Sequence, residues 1–183
     1  MASHCSKQSL HFTLTPTRPS DRERVRDFVN STHVKASALC DASRTQQISD
    51  LPNDFPELHS DEAWAALPEP HGWVFEDPGS GAILGAVGIK PGNDIASTVH
   101  VSYLFVAPQT RGMGLGRALL RAALRGAADD HRAQSCTLLS LKGVYAPALA
   151  LYASEGFQET REETTRFYTL VFMELDLAQW AAF

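Results

Sequence analysis

The sequence predicts a single α/β domain over residues 1–183, built on a mixed, mostly antiparallel central sheet of about six to seven strands flanked by helices. Three observations predict it. Short apolar runs with strand periodicity alternate with helical stripes, and turn signals join several of the strands directly. A length of 183 residues with 44% hydrophobic and 20% charged residues is a globular composition, long enough to bury roughly 70% of the unfolded surface without disulfides or metals. Finally, no internal repeat, low-complexity tract or heptad run marks a domain boundary.

The elements follow in order. "LHFTLTPTRPSD" alternates apolar and polar residues and ends on Pro19-Ser20-Asp21, a capping signal ahead of a helix with Val25, Phe28 and Val29 at helical spacing. From Lys35 to Glu69 the chain turns polar and proline-studded, with at most one short helix around Asp61 to Leu67. Such a long connection is often functional. "GWVFEDPGSGAILGAVGIKPG" reads as a hairpin turning at Asp77-Pro78-Gly79-Ser80-Gly81, and "STVHVSYLFVAP" adds a third strand to an antiparallel meander. Leu115, Leu119, Leu120, Ala123, Leu124 and Ala127 then form one stripe of a helix, with Arg117, Arg121 and Arg125 on another face. Arg121 and Arg125 read as a solvated face, while Arg117 lies on the first turn, within reach of a bound anion. "SCTLLSLKG" is a short strand, and "APALALYASEGF" a short helix with Pro147 near its start and Gly156 at its cap. Two strands close the chain around Glu162-Glu163-Thr164. The last of them, in "RFYTLVFMELDL", is expected at a sheet edge, where it would pair across a homodimer.

Composition excludes several function classes. Cys5, Cys40 and Cys136 are an odd set with no CxxC spacing, which argues against a disulfide framework or structural zinc and for a reducing compartment. Cys136 reads as a small core residue. No HExxH or i, i+4 histidine pair suggests a metal site. The opening "MASHCSKQSLHF" lacks a signal-peptide core and no run is long enough to span a bilayer, so a cytoplasmic protein without a membrane partner is expected. A net charge of −5 leaves no basic footprint for nucleic acid and mildly favours cationic or neutral ligands.

The stretch "VAPQTRGMGLGRALL" carries Gly112, Gly114 and Gly116 between a strand and a helix. A glycine-rich turn opening a helix aims backbone N–H groups at one point and forms an anion site, although a flexible turn at a helix start is the bland alternative. The dinucleotide fingerprint fails because Arg117 stands where its third glycine belongs, and the triphosphate loop fails for want of a GK[ST] triplet. What remains, Gln109-x-x-Gly112-x-Gly114, resembles the [QR]-x-x-G-x-[GA] motif of the GNAT superfamily of acyl-CoA-dependent N-acyltransferases. Downstream, Ala148, Leu151, Tyr152, Gly156 and Phe157 resemble that family's A-x-x-L-Y-x-x-x-G-F signature. Together the two signatures span about Val99 to Phe157.

The resemblance implies an acetyl-CoA-dependent N-acetyltransferase acting by direct attack on an amine, with no metal. It implies that backbone N–H groups across Arg111, Gly112, Met113, Gly114, Leu115, Gly116 and Arg117 cradle the pyrophosphate. The pantetheine arm would pair with Leu104, Phe105 and Val106 in a splay between the fourth and fifth strands. Tyr152 matches the tyrosine that donates a proton to the departing thiolate; read alone, it is equally a helix tyrosine with its ring in the core. His100 falls where many members carry a glutamate base, and histidine suits that task near neutral pH. A sheet-surface histidine is the alternative, and water, Tyr103 or Glu62 could equally serve as base. Tyr145 stands where the family often has an asparagine touching the cofactor arm. The acceptor, a small-molecule amine or a peptide amino group, is left open. So is the rival reading, a catalytically silent acyl-CoA-binding sensor or interaction module.

Overall fold

The computed structural model describes residues 13–38, 71–92, 97–166 and 168–182, without the side chains of 33–38. Seven strands form one sheet in the order β1-β2-β3-β4-β5-β7-β6. They are β1 (Thr13–Pro16), β2 (Gly72–Glu76), β3 (Ile83–Pro91), β4 (Thr98–Val106), β5 (Ser135–Leu141), β6 (Gln158–Thr164) and β7 (Thr169–Asp176). Helices α1 (Arg22–Ala38), α2 (Leu115–Asp129), α3 (Ala146–Ser154) and α4 (Leu177–Trp180) complete the described chain. Every neighbouring strand pair is antiparallel except β4 and β5, which run parallel.

The expected capping signal is a short 3-10 turn, Pro19–Asp21, whose Asp21 carboxylate accepts the Arg18 backbone N–H at 2.9 Å. It leads into α1, which continues past Lys35 to Ala38. The remainder of the proline-studded segment, including the helix expected around Asp61 to Leu67, lies outside the described residues. On one face of the sheet, Val25 and Val29 of α1 are fully buried against Val74, Ala86 and Tyr103. On the other, the predicted stripe of α2 closes the larger core: Leu119, Leu120, Ala123, Leu124 and Ala127 are all at 0% exposure. Close approach of α2 needs Gly126, since a Cβ there would lie 2.3 Å from Cη2 of Trp73 on β2.

Two expectations about the tail need correction. The strand of residues 169–176 is not an edge: β7 pairs with β5 on one side and β6 on the other. The edge is β6, exposed along its whole length and carrying Glu159, Arg161, Glu162 and Glu163, charges of the kind that discourage edge pairing. A four-residue helix, α4, also follows β7 unannounced, capped by the Asp176 carboxylate, which accepts the N–H groups of Ala178 and Gln179. Among the described residues no helix is long and apolar enough to cross a membrane.

Candidate active site

The site is built where β4 and β5 part. Their ladder holds only Thr98 to Ser135, Val99 to Cys136 and His100 to Thr137, although β4 continues to Val106 and β5 to Leu141. Beyond His100 the two parallel strands diverge and leave a wedge between them. A bulge in β4 shapes this wedge: Gly88 faces Tyr103 while Ile89 faces Val101, so Ser102 is the extra residue. The bulge flips the side chains. Val99 and Val101 point to the α2 face, whereas Tyr103 and Phe105 pack with α1, and Leu104 and Val106 return to the α2 side. The apolar-polar alternation of "VHVSYLFV" hides this switch, because an extra residue leaves the pattern of buried positions unbroken.

At the far end of β4 the chain enters the glycine turn. Thr110 is buried and donates its hydroxyl to the Ala107 carbonyl at 3.0 Å, and Arg111 Nε donates to the Val106 carbonyl at 3.2 Å. Gly112 and Gly114 have φ of +77° and +84°, a left-handed backbone that other residues adopt at a cost, and a Cβ at either would meet nothing within 4 Å. The turn is therefore open on the side these positions face. Gly114 is the N-cap of α2 and offers no side-chain cap, while the first helical bond runs from the Ala118 N–H to the Gly114 carbonyl at 3.1 Å. The N–H groups of Leu115, Gly116 and Arg117 thus have no acceptor within the helix, and the positive end of the helix dipole lies with them. Gly116 differs from its neighbours: a Cβ there would touch Leu151 and Val106 at an ordinary 3.6 Å, so the backbone does not demand glycine. Met113 projects outward at 45% exposure.

Tyr152 lies on α3, 7% exposed, with its ring edge-on to Phe157 at 5.9 Å between centroids. Burial, helped by the neighbouring Tyr145 phenol, raises its pKa above the ordinary tyrosine value. Its hydroxyl has no hydrogen-bond partner among the described residues. Tyr145 is the N-cap of α3 and meets Phe105 of β4 edge-to-face at 6.4 Å, so the two rings bridge the wedge from opposite sides. His100 sits at the vertex, its Nδ1 3.1 Å from Thr137 Oγ1 across the last registered pair. Desolvation, with Lys90 opposite it on β3, pushes its pKa down to about 4 rather than leaving it near neutrality. The imidazole is neutral at physiological pH. Tyr103 is buried on the α1 face with its ring over Gly88, and Glu62 lies outside the described residues.

The arginines of α2 require a further correction. Arg121 is not simply a solvated side chain: its Nε donates to Glu155 Oε2 at 2.8 Å. Arg117 also turns toward α3, with Nη1 3.0 Å from Glu155 Oε1 and Nη2 donating to Ser154 Oγ at 3.1 Å. Its backbone N–H, not its guanidinium, belongs to the turn. The Oε1 contact is an ion pair at an angle outside hydrogen-bond geometry. Glu155 was invisible to sequence reasoning, since the spacing of Arg117 and Arg121 announces a shared face but not the acid on another helix. Cys136 is fully buried and its thiol is pushed up to about 12, consistent with a core residue. Among the described residues no cluster of three or more His, Cys, Asp or Glu could hold a metal ion.

A seven-stranded sheet parted between its two parallel neighbours, with an open, uncapped helix start at the end of the wedge, defines a distinct class of mixed α/β domain. The family model described as the acetyltransferase (GNAT) domain matches residues 68–159, just over half of the 183 residues, and the chain belongs to that family. Mycothiol acetyltransferase from Beutenbergia cavernae is 38% identical over 87 residues, 46% of this chain and 27% of that protein. Rat N-acetyltransferase 8 is 37% identical over 93 residues, 49% of this chain and 40% of that protein. The matched stretch spans less than half the length of these two relatives. A Salmonella typhimurium protein solved with its cofactor acetyl-CoA shares the fold at a TM-score of 0.66 and 23% identity, covering 91% of this chain and 94% of that one.

Proposed function

We propose that this chain transfers the acetyl group of acetyl-CoA to a primary amine by direct attack in a ternary complex. The observation that carries the reading is the uncapped start of α2, with Gly112 and Gly114 bare on an open side, at the end of the wedge between β4 and β5. The residues present fit the donor. An extended diphosphate matches the N–H groups from Gly112 to Arg117, the expected Arg111 N–H being turned to the Pro108 carbonyl at 3.4 Å, and a β-carbon at Gly112 or Gly114 would strain the turn and obstruct approach. Leu104, Phe105 and Val106, beyond the end of the β4–β5 ladder, suit a pantetheine arm lying like an added strand, with Tyr145 against it. When bound, acetyl-CoA supplies an acyl group already activated as a thioester.

The chain's own groups then orient the reactants and manage protons. Tyr152 keeps its proton through physiological pH because burial raises its pKa, and it can pass that proton to the departing thiolate, whose basicity the same desolvation raises. Its buried ring holds the hydroxyl in place. His100 is neutral, but a conjugate acid near 4 gives little drive for taking a proton from an ammonium group. We therefore assign removal of the amine proton to solvent and give His100 the vertex of the wedge, with Nε2 left to hold an incoming water or amine. The acceptor is a small-molecule amine or a peptide amino group, and the net charge of −5 favours a cationic one.

The test is a thermal-shift and calorimetric titration with acetyl-CoA, followed by thiol release against a panel of small amines, polyamines and peptides. Saturable stabilisation, about 2.7 kcal/mol at one hundred times Kd, is expected for the native chain and lost in Gly114→Val. No stabilisation at millimolar acetyl-CoA would overturn the reading. Binding without thiol release for any amine would establish the silent acyl-CoA-binding module instead.

A further inference from the structure

We infer that Glu155 is a positioning residue that fixes Tyr152 relative to the cofactor-binding end of α2, by tying the C-terminus of α3 to Arg117 and Arg121. The inference rests on the proposed acetyl transfer. Glu155 is the C-cap of α3, one turn beyond Tyr152, and its backbone N–H is bonded to the carbonyls of Leu151, Tyr152 and Ala153. Its side chain is 2% exposed, while those of Arg117 and Arg121 are each 47% exposed.

Stability alone gives no reason for this placement. A carboxylate at a helix C-terminus opposes the helix dipole, and an ionised carboxylate buried this deeply costs several kcal/mol unless paired. Two guanidiniums from one face of α2 offset that cost, Arg121 through a directional hydrogen bond and Arg117 through charge alone. Arg121 binds Oε2 through Nε at 2.8 Å. Arg117 approaches Oε1 at 3.0 Å and donates to Ser154 Oγ at 3.1 Å, which in turn donates to the Leu151 carbonyl at 2.7 Å. Arg117 belongs to the first turn of α2, whose N–H groups have no side-chain cap, so the carboxylate joins that turn to the one carrying Tyr152. A thiolate and its proton donor must meet within hydrogen-bond reach, and a shift of about 1 Å is enough to cost on the order of a hundredfold.

Glu155→Gln tests this. It preserves shape and leaves no buried charge unpaired, because the half-exposed arginines rehydrate. Acetyl-CoA affinity by calorimetry should stay within threefold of the native chain while kcat falls at least tenfold. In a Tyr152→Phe background the same substitution should change kcat by less than twofold, since the group it positions is gone. A loss of equal size in both backgrounds, an unchanged kcat, or a loss confined to acetyl-CoA affinity would each overturn the inference. Should Glu155→Gln fail to fold, Arg121→Gln, which leaves Arg117 on the carboxylate, is carried through the same cycle with the same criteria. Failure of the proposed function is read separately, as absence of thiol release by the native chain.

Discussion

Replacing Tyr152 with phenylalanine removes one oxygen and little else. The ring keeps its edge-on contact with Phe157 at 5.9 Å, and no hydrogen bond among the described residues is lost, because the hydroxyl has no partner there. Folding stability should therefore change by less than about 0.5 kcal/mol, below the usual worth of a single hydrogen bond. Acetyl-CoA affinity should hold within about threefold, since the proposed diphosphate site is backbone on another element. Only the transition state suffers. A positioned proton donor contributes on the order of 10²- to 10⁴-fold, so kcat should fall by at least about 10², or roughly 2.7 kcal/mol. The pH profile supplies a second reading. In the proposed acid role the protonated phenol is the active form, and its pKa is raised above the ordinary 10.0 by burial, so the native kcat should show no basic decline up to that pH. Single-turnover thiol release, which removes product release from the measurement, gives the rate, and calorimetry gives the affinity. A single-turnover rate within threefold of the native value would refute the acid role, as would a loss lying wholly in KM.

Two further outcomes follow from packing and burial. Gly126→Ala gains about 1 kcal/mol of helix propensity but drives a Cβ to 2.3 Å from Trp73, which is 7% exposed and packed in the main core. Overpacking of about 1–3 kcal/mol wins on balance, so thermal melts should show a lower Tm, and the sign should reverse in a Trp73→Phe background; a higher Tm in the native background would contradict the close approach. For His100, a folded pKa near 4 against 6.5 means that unfolding takes up a proton between those values. Stability should then fall as pH drops through that window, by up to about 3 kcal/mol. Urea unfolding of His100→Gln should show a shallower pH dependence there, and an identical slope would refute the burial of a neutral imidazole.

Much of this was legible from local pattern. The α2 stripe from Leu115 to Ala127 is buried as its periodicity requires, and the Asp77–Gly81 hairpin turns where its residues predict. In that turn the Asp77 carboxylate accepts the Gly79 N–H and the Ser80 hydroxyl. The glycine turn was legible because φ near +80° at Gly112 and Gly114 selects glycine by itself, whatever surrounds it. The misreadings share one origin. The strand of residues 169–176 is more apolar than its neighbour and was expected at an edge, but its content reflects burial between β5 and β6. Arg121 carries no local mark of a partner thirty-four positions away on another helix.

What the sequence determined by itself is therefore the local and the conformational: the order of elements, the helix that needs an apolar face, and the turn that needs bare backbone. Only the tertiary structure decided where β4 and β5 part, that Ser102 bulges and sends Tyr103 and Phe105 to the opposite face, and that His100 ends beside Thr137 with a pKa near 4. It also decided that a buried Glu155 should draw two arginines across from α2. Backbone conformation and hydrophobic period are written in adjacent residues. Register, desolvation and charge pairing depend on distances between residues far apart in the chain, and those exist only once the sheet has formed.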